Sequence, residues 1–168
     1  RLVVDVEVRN LAGHKLPTAY PSRRAWLHVT VRDREGKAIF ESGRVGGDGR
    51  IAGNDNDDDP ARYEPHYATI SRPGQVQVYE AIMADHAGVV TTGLIAAVQY
   101  VKDNRLLPRG FDKSTAEPDI AVKGDAATDA DFVGGADRVR YAVETGSARG
   151  PFAIEVEFCY QPVGYRWA

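Results

Sequence analysis

Cysteine is nearly absent from this sequence. Cys159 is the single cysteine among 168 residues, so a disulfide within the chain and a zinc cluster built on thiolates are both excluded. The Cys-x-x-Cys-His motif is missing as well, which excludes covalent attachment of haem through a pair of cysteines. We therefore expect no covalently bound cofactor in this chain.

Long apolar runs and an excess of basic residues are also absent. The segment from Val89 to Val101 is the longest apolar candidate, but polar residues and a glycine interrupt it, and a membrane helix needs about 20 apolar residues. The chain carries 21 basic and 24 acidic residues with a net charge of −3, mixed along its length, so no basic stripe could follow a row of phosphates. We expect neither a membrane span nor a nucleic-acid partner.

The composition is that of a folded protein. Hydrophobic residues make up 43% and charged residues 27% of the chain, which are ordinary fractions for a globular protein. The length fits one domain, and we predict a single domain over residues 1–168. Because the chain opens directly on the strand-like segment 2–8, we expect this domain to be part of a larger protein.

Alternation of apolar and polar residues predicts strands along much of the chain. The period of two is clear in segments 2–8, 27–31, 139–143 and 152–160. In each segment one row of side chains is apolar and the other is polar. We therefore expect strands with one buried face.

Two short turns predict antiparallel hairpins. Asp33-Arg34-Glu35-Gly36 separates the strand 27–31 from segment 37–41, and Asp85-His86-Ala87-Gly88 follows segment 75–83. The next segment, Val89 to Tyr100, fits either a helix or a strand, and its valines and threonines favour a strand.

Helical patterns are scarce. The one helix-start pattern is Thr128-Asp129-Ala130-Asp131, and residues 106–135 are so rich in Pro, Gly, Asp and Ala that we predict a long ordered loop with contacts or a function of its own. The fold class is therefore all-β. We predict an antiparallel β-sandwich, immunoglobulin-like or jelly-roll-like, with long loops and little helix.

One loop carries a recognisable block, Gly13-His14-Lys15-Leu16-Pro17-Thr18. With several later blocks this chain resembles the β-rich C-terminal domain that follows the haem-bearing part of bacterial multihaem c-type cytochromes, and the resemblance covers nearly the whole chain. The pattern has glycine where this chain has Ala19, at a position where a positive φ would favour glycine. The later blocks are Asp57-Asp58-Asp59, residues 63–67, residues 75–80, residues 94–100, residues 102–108, residues 131–135 and residues 160–167.

The resemblance implies a non-catalytic accessory domain in electron transfer. The resemblance implies that such a domain packs against haem-bearing segments of the same protein, that the protein is periplasmic or otherwise extracytoplasmic, and that a redox partner protein is a candidate partner. The haems would lie outside this chain. Residues of the loop and its surroundings are candidates for the interface, namely Lys15, Tyr20, Arg23, Arg24 and Arg105.

Three residues are candidates for contact with a haem or a transition metal. His14 lies on an accessible loop and could ligate haem at the domain interface, or simply fix its loop through hydrogen bonds. Glu64 and His66 are two apart, so in a strand they would face the same side. With His14 they could form a site for zinc, copper or iron. This leaves open a metal-dependent enzyme that uses His14, Glu64 and His66 to activate water, although no sequence feature names its substrate.

An acidic loop is a candidate calcium site. Hard cations bind six to eight oxygen ligands, and the loop concentrates such ligands after a glycine, although its spacing is not that of an EF-hand. The alternative is a solvated loop whose side chains cap turns. A calcium site would fit a second interpretation of the chain, a calcium-stabilised carbohydrate- or surface-binding module. The candidate ligands are Asp48, Asn54, Asp55, Asn56, Asp57, Asp58 and Asp59.

Overall fold

Strands dominate the chain, as the sequence predicts. The computed structural model describes all residues 1–168 and contains ten strands, one short α-helix and two 3-10 turns. No helix is both long and apolar enough to cross a membrane. The elements are β1 (Leu2–Arg9), β2 (Arg24–Arg32), β3 (Ala38–Ser42), α1 (Asp55–Asp58), β4 (Thr69–Ile70), β5 (Val78–Tyr79), β6 (Ala81–Ala84), β7 (Val90–Thr91), β8 (Gln99–Asp103), β9 (Ala136–Val143) and β10 (Ala153–Gln161).

The strands form three sheets, and nearly every pair is antiparallel. The first sheet has the order β1-β9-β4, the second has the order β10-β2-β3 with β5 also paired to β2, and the third has the order β7-β6-β8. The pair β4-β9 is parallel. Both predicted hairpins, β2-β3 and β6-β7, are present and antiparallel. The all-β, sandwich-like prediction is confirmed.

The main apolar core joins the first two sheets. Fifteen buried side chains form one cluster, to which β1, β4 and β9 contribute from one sheet and β2, β3 and β5 from the other. On β2 the apolar row predicted from the sequence, Leu27, Val29 and Val31, is at most 1% exposed. Burial of this much apolar area is the main favourable term in the folding free energy.

A smaller apolar cluster lies on the other side of β2. Trp26, Ile51, Val76 and Val78 are buried together, and Cys159 packs against them. The indole N–H of Trp26 donates to the Gly43 carbonyl at 2.8 Å, which satisfies its polar atom inside the cluster. Much of β2 is therefore buried on both faces, whereas the sequence predicts one buried face.

The long loop 106–135 supplies part of the main core, which agrees with the expectation that it has contacts of its own. Five of its side chains lie in that cluster: Leu106, Leu107, Val122, Ala126 and Phe132. The expected helix start at Thr128 is wrong, because Thr128 instead ends a 3-10 turn over Asp125–Ala127. Segment 89–100 also differs from the expected strand, since a turn separates β7 from β8.

Candidate functional site

A group of buried polar side chains lies beside the main core. His66 comes from the loop before β4, Asp129 from the long loop 106–135 and Asp137 from β9. The three side chains are at most 8% exposed. The Phe132 ring packs edge-on against the His66 ring, with 5.0 Å between the ring centroids. We call His66, Asp129 and Asp137 the buried triad.

Two amide groups orient the ring of His66. The side-chain N–H groups of Gln77 and Asn104 point at its Nδ1, at 2.7 Å and 3.1 Å. The backbone fixes which end of each amide faces the ring, because the Tyr67 N–H donates to the Gln77 oxygen and the Glu80 N–H donates to the Asn104 oxygen. Nδ1 is therefore an acceptor, and the neutral ring carries its proton on Nε2.

The carboxylates of the triad are each held through one oxygen. Tyr79 donates its hydroxyl proton to Asp137 Oδ2 at 2.7 Å, and the Asp131 N–H donates to Asp129 Oδ1 at 2.8 Å. The other oxygens face His66 Nε2, at 3.2 Å for Asp129 Oδ2 and 3.7 Å for Asp137 Oδ1. None of these three inward atoms has a hydrogen-bond partner, which is rare for buried polar atoms.

Burial controls the ionisation of the triad. It lowers the pKa of His66 well below the usual range, although the charge of Asp129 acts in the opposite direction. The ring is therefore neutral at neutral pH. Burial also raises the pKa of Asp137 to about 7, although the hydrogen bond from Tyr79 favours its charged form. A neutral imidazole beside two carboxyl groups is a ligand set for a divalent metal ion.

Comparisons with known proteins do not identify a family for this chain. No protein-family model matches it. No curated protein and no solved structure matches it either. The chemistry of the buried triad rests on the residues themselves.

The structure does not bring His14, Glu64 and His66 together. Glu64 accepts a hydrogen bond from the Tyr67 hydroxyl at 2.7 Å, and His14 is exposed, with Nδ1 2.9 Å from the Lys15 carbonyl. His66 has Asp129 and Asp137 as its carboxylate neighbours instead of Glu64. The expected three-residue site is therefore corrected, because segment 64–67 is irregular and does not place alternate side chains on one face.

The acidic loop does not gather its carboxylates around a common centre. Arg24 binds Asp57 through both guanidinium nitrogens, at 2.5 Å and 2.9 Å, and Arg62 pairs with Asp55. Arg50 lies 3.5 Å from both Asp48 and Asp58. Asp59 accepts the N–H of Ala61, Asn56 donates to a backbone carbonyl, and the Asn54 side chain is buried without a partner. Arginines pair with the aspartates whose negative charges a calcium ion would offset.

Two aromatic residues of the chain are unavailable to the sugar-binding surface that the second interpretation requires. Trp26 is 3% exposed and Tyr79 is fully buried, so neither can stack on a sugar at the surface.

The five interface candidates differ in their exposure. Arg24 is not available to a partner, because it is 2% exposed and bound to Asp57. Lys15 and Arg105 both pair with Asp103, each at 2.7 Å. Tyr20 is 50% exposed and lies edge-on to Trp167. Arg23 donates to the Thr18 carbonyl within its own loop.

A row of apolar side chains on β10 is exposed. Register places Ile154, Val156 and Phe158 opposite Val31, Val29 and Leu27, so the row continues the core-facing side of the second sheet. Its members are Ile154, Val156, Phe158 and Tyr160, between 41% and 51% exposed. We call this row the β10 face. The sequence predicts the alternation but not the exposure, since β10 lies at the edge of its sheet.

Sequence analysis missed two members of the triad. Asp129 fitted a helix-start pattern, and the apolar row predicted for β9 began at Val139, one step after Asp137, which occupies the same inward row. The usable signal is the period of two, which places Asp137 on the buried side of the strand with Val139 and Tyr141. An acidic residue in that row needs partners, because it is rarely buried without them. The partners of Asp137 lie 8 to 71 residues away in the chain, which a single sequence does not connect.

Proposed function

We propose that this chain is a non-catalytic interaction domain of an exported multihaem c-type cytochrome, and that it packs against the haem-bearing segments of the same protein. The resemblance of the Gly13-to-Thr18 block and the later blocks supplies the kind of partner. The β10 face supplies the surface. The domain contributes binding free energy and position, and electrons move through haems outside this chain.

The β10 face is the observation that carries this proposal. It holds four apolar side chains in one row, each at least 41% exposed. Contiguous exposed apolar patches on soluble proteins mark interaction sites. The row lies on a rigid edge strand that β2 holds over nine residues, so a partner would meet a preformed surface with little loss of conformational entropy.

A second copy of the chain would pair poorly with the free edge of β10. Consider two β10 strands that pair antiparallel, with their apolar rows aligned and their centres matched. Depending on the register, Glu155 would lie opposite Glu155 or Glu157 of the other copy, or Glu157 would lie opposite Glu157 of the other copy. Like charges directly opposite destabilise a sheet. Glu155 and Glu157 already have Arg32 and His28 as partners within the chain. Edge-to-edge pairing of two copies is therefore disfavoured, and we assign the β10 face to a different segment, as a haem-bearing domain would provide.

His14 adds a second point of contact. It is exposed, and the hydrogen bond between its Nδ1 and the Lys15 carbonyl leaves Nε2 as the unprotonated nitrogen. An imidazole in this tautomer can ligate the iron of a neighbouring haem. We include this contact in the proposal.

The first test of the proposed parent protein is the sequence of the complete reading frame that encodes this chain. This frame is expected to encode several Cys-x-x-Cys-His motifs as well as the present domain. A frame without any such motif would overturn the proposal.

A binding experiment tests whether the β10 face is the contact surface. The domain is mixed with the separately produced haem-bearing part of the same gene product. The haem absorbance reports complex formation during gel filtration. Val156→Glu on the β10 face is expected to weaken binding by about tenfold or more, because it places a charge in the centre of the apolar contact. Val3→Glu is the matched control, since Val3 is 52% exposed on β1. Equal binding by both variants would exclude the β10 face as the contact.

A further inference from the structure

The buried triad has the arrangement of an ion site. Each of its side chains uses one polar atom to hold its position and directs the other inward: Nδ1 of His66 to the two amides, Oδ1 of Asp129 to the Asp131 N–H, and Oδ2 of Asp137 to Tyr79. The three inward atoms lie within 4.8 Å of one another. His66 Nε2 and Asp129 Oδ2 approach to 3.2 Å without the geometry of a good hydrogen bond, and none of the three atoms has a partner outside the triad.

We propose that His66 Nε2, Asp129 Oδ2 and Asp137 Oδ1 bind one divalent transition-metal ion, with zinc as the probe. Zinc binds nitrogen and carboxylate oxygen at about 2.0–2.2 Å, which puts tetrahedral neighbours roughly 3.4 Å apart. The separations of 3.2 Å and 3.7 Å from Nε2 match this value. The site does not rest on the proposed function.

Charge and chemistry both favour such an ion. Two carboxylates with side chains 8% and 0% exposed are expensive to bury unless a cation or a proton offsets them. One divalent ion offsets both. A set of one imidazole and two carboxylates selects zinc, manganese or iron(II) over copper(I), which prefers sulfur.

A four-coordinate ion would need a fourth ligand such as water, and the inward atoms of the triad are sealed from solvent in this structure, so this water would have to enter with the ion. A surface depression of about 290 Å³ borders Asp137 and is lined by Asp131 and Arg138 among others. Three protein ligands and one water complete a four-coordinate ion.

Binding requires a change in the position of the ring proton. The proton on Nε2 must move to Nδ1, where two amide N–H groups now point. The Gln77 amide can accept it by turning its oxygen to the ring, at the cost of its hydrogen bond from the Tyr67 N–H. Asn104 is held more firmly, because it both accepts from Glu80 and donates to the Val78 carbonyl.

Because the ring proton of His66 must move to Nδ1, a variant that accepts a hydrogen bond from Nδ1–H should bind zinc more tightly. In Gln77→Glu the side chain has two acceptor oxygens, so one can keep the Tyr67 N–H while the other accepts from Nδ1–H of His66. The second oxygen replaces the Gln77 N–H that lies 3.5 Å from Asp137 Oδ2, so the variant also adds negative charge beside the triad, which a divalent ion offsets. A carboxylate behind a ligating histidine orients the ring and strengthens it as a ligand. Gln77→Glu is therefore expected to bind zinc about tenfold more tightly than the wild type.

The experiment is a zinc titration of the whole chain, by calorimetry or by competition with a chromophoric chelator, with circular dichroism as a check of folding. We expect about one ion per chain, a higher melting temperature with zinc, and a visible spectrum of tetrahedral type with cobalt. His66→Ala and Asp129→Asn are expected to lose affinity by ~100-fold or more. His14→Ala and His86→Ala, which remove exposed histidines, are the controls.

The outcomes separate clearly. The proposal is overturned if folded wild-type protein binds no zinc, if the His66 and Asp129 variants bind as the wild type does, or if zinc affinity follows His14 and His86. It is also overturned if Gln77→Glu fails to tighten binding. If the triad variants do not fold, the gain of affinity in Gln77→Glu and the cobalt spectrum still decide.

Discussion

Ala19 holds a backbone conformation that usually belongs to glycine. Its φ is +57°, and it is the one non-glycine residue with a positive φ. For an alanine this left-handed conformation is strained by about 1–2 kcal/mol relative to the right-handed one. This chain therefore keeps the turn at Ala19 at a cost in strain.

Ala19→Gly is expected to raise the free energy of unfolding. Relief of the strain outweighs the extra freedom of glycine in the unfolded chain, and the net gain is about 0.5–1 kcal/mol. Urea unfolding measures it. Ala61→Gly, at an exposed alanine with ordinary φ, is expected to lose stability instead. A loss in Ala19→Gly would show that the positive φ is not strained.

Asp103 anchors a buried charge group. Its carboxylate accepts from Lys15 at 2.7 Å and from two guanidinium nitrogens of Arg105 at 2.8 Å and 2.7 Å. Burial by itself raises the pKa of Asp103, but the hydrogen bonds and charges of Arg105 and Lys15 outweigh it, so the pKa is lower than usual. A lowered pKa in the folded state stabilises the protein above the unfolded pKa of about 4, and this stability disappears as the pH falls further.

Asp103→Asn is expected to cost about 2–4 kcal/mol at pH 7, because two cations lose their partner. The variant should also lose less stability than the wild type when the pH is lowered through 4 to 2. Chemical denaturation at several pH values measures both effects. Asp5→Asn, at an exposed pair with Arg140, should change stability far less. Parallel pH curves for the wild type and Asp103→Asn would contradict the linkage.

The sequence-based prediction at His66 named the histidine but not its neighbours. A histidine beside a proline and a glutamate indicates a polar site, and His66 does lie in one. The partner was wrong, because local spacing places Glu64 nearest in the chain, whereas the triad draws Asp129 and Asp137 from distant segments. Proximity in the chain does not report proximity across a sandwich core.

At the scale of elements, the turn after β3 depends on glycine. Gly43 has a φ of +80°, and a Cβ at this position would lie 2.3 Å from the Leu27 carbonyl oxygen and 3.2 Å from Trp26 Cδ1. The same residue accepts the indole hydrogen bond of Trp26. The turn therefore fixes how the smaller apolar cluster packs on β2.

Gly43→Ala is expected to destabilise the protein by roughly 2–4 kcal/mol, since the methyl group meets backbone atoms that cannot easily move and the φ is unfavourable. Thermal or urea unfolding measures the loss, and near-ultraviolet circular dichroism reports the environment of Trp26. Gly47→Ala is the control, because a Cβ at position 47 would have no neighbouring atom within 4 Å, and it should change stability by less than about 1 kcal/mol. Equal losses at both glycines would contradict this role of Gly43.

The strand β10 illustrates what periodicity predicts and what it leaves open. The alternation of Ile154, Val156 and Phe158 with polar residues predicts a strand correctly. Periodicity shows which side chains share a face of the strand, but it does not show whether other segments pack against that face and bury it. Cover depends on the position of β10 at the edge of the sheet, which only the pairing of all strands decides.

At the scale of the whole molecule, charge pairing ties the acidic loop to the sheet. Asp57 on α1 joins Arg24 on β2, and its second contact is the Ile51 N–H at 2.7 Å. Arg24 also donates to the Gly49 carbonyl. One buried ion pair thus links α1, the loop before it and the central strand.

Addition of millimolar calcium is expected to leave the melting temperature unchanged, because three arginines already pair with four carboxylates of the loop. Arg24→Ala is expected to lower the free energy of unfolding by about 3–5 kcal/mol, since it leaves Asp57 buried and unpaired. A calorimetric scan with and without calcium measures the first effect, and urea unfolding the second. A rise in melting temperature with calcium would restore the loop as a calcium site.

The sequence by itself determined the all-β class, both hairpins and the principal strands, because side-chain period and turn residues are local properties. It also predicted that residues 106–135 are an ordered loop. Only the tertiary structure decided that Arg24 is buried, that the β10 face is exposed and that His66 meets Asp129 and Asp137. These are properties of strand order and of contacts between distant segments, and their energies come from burial and from charges that the fold brings together.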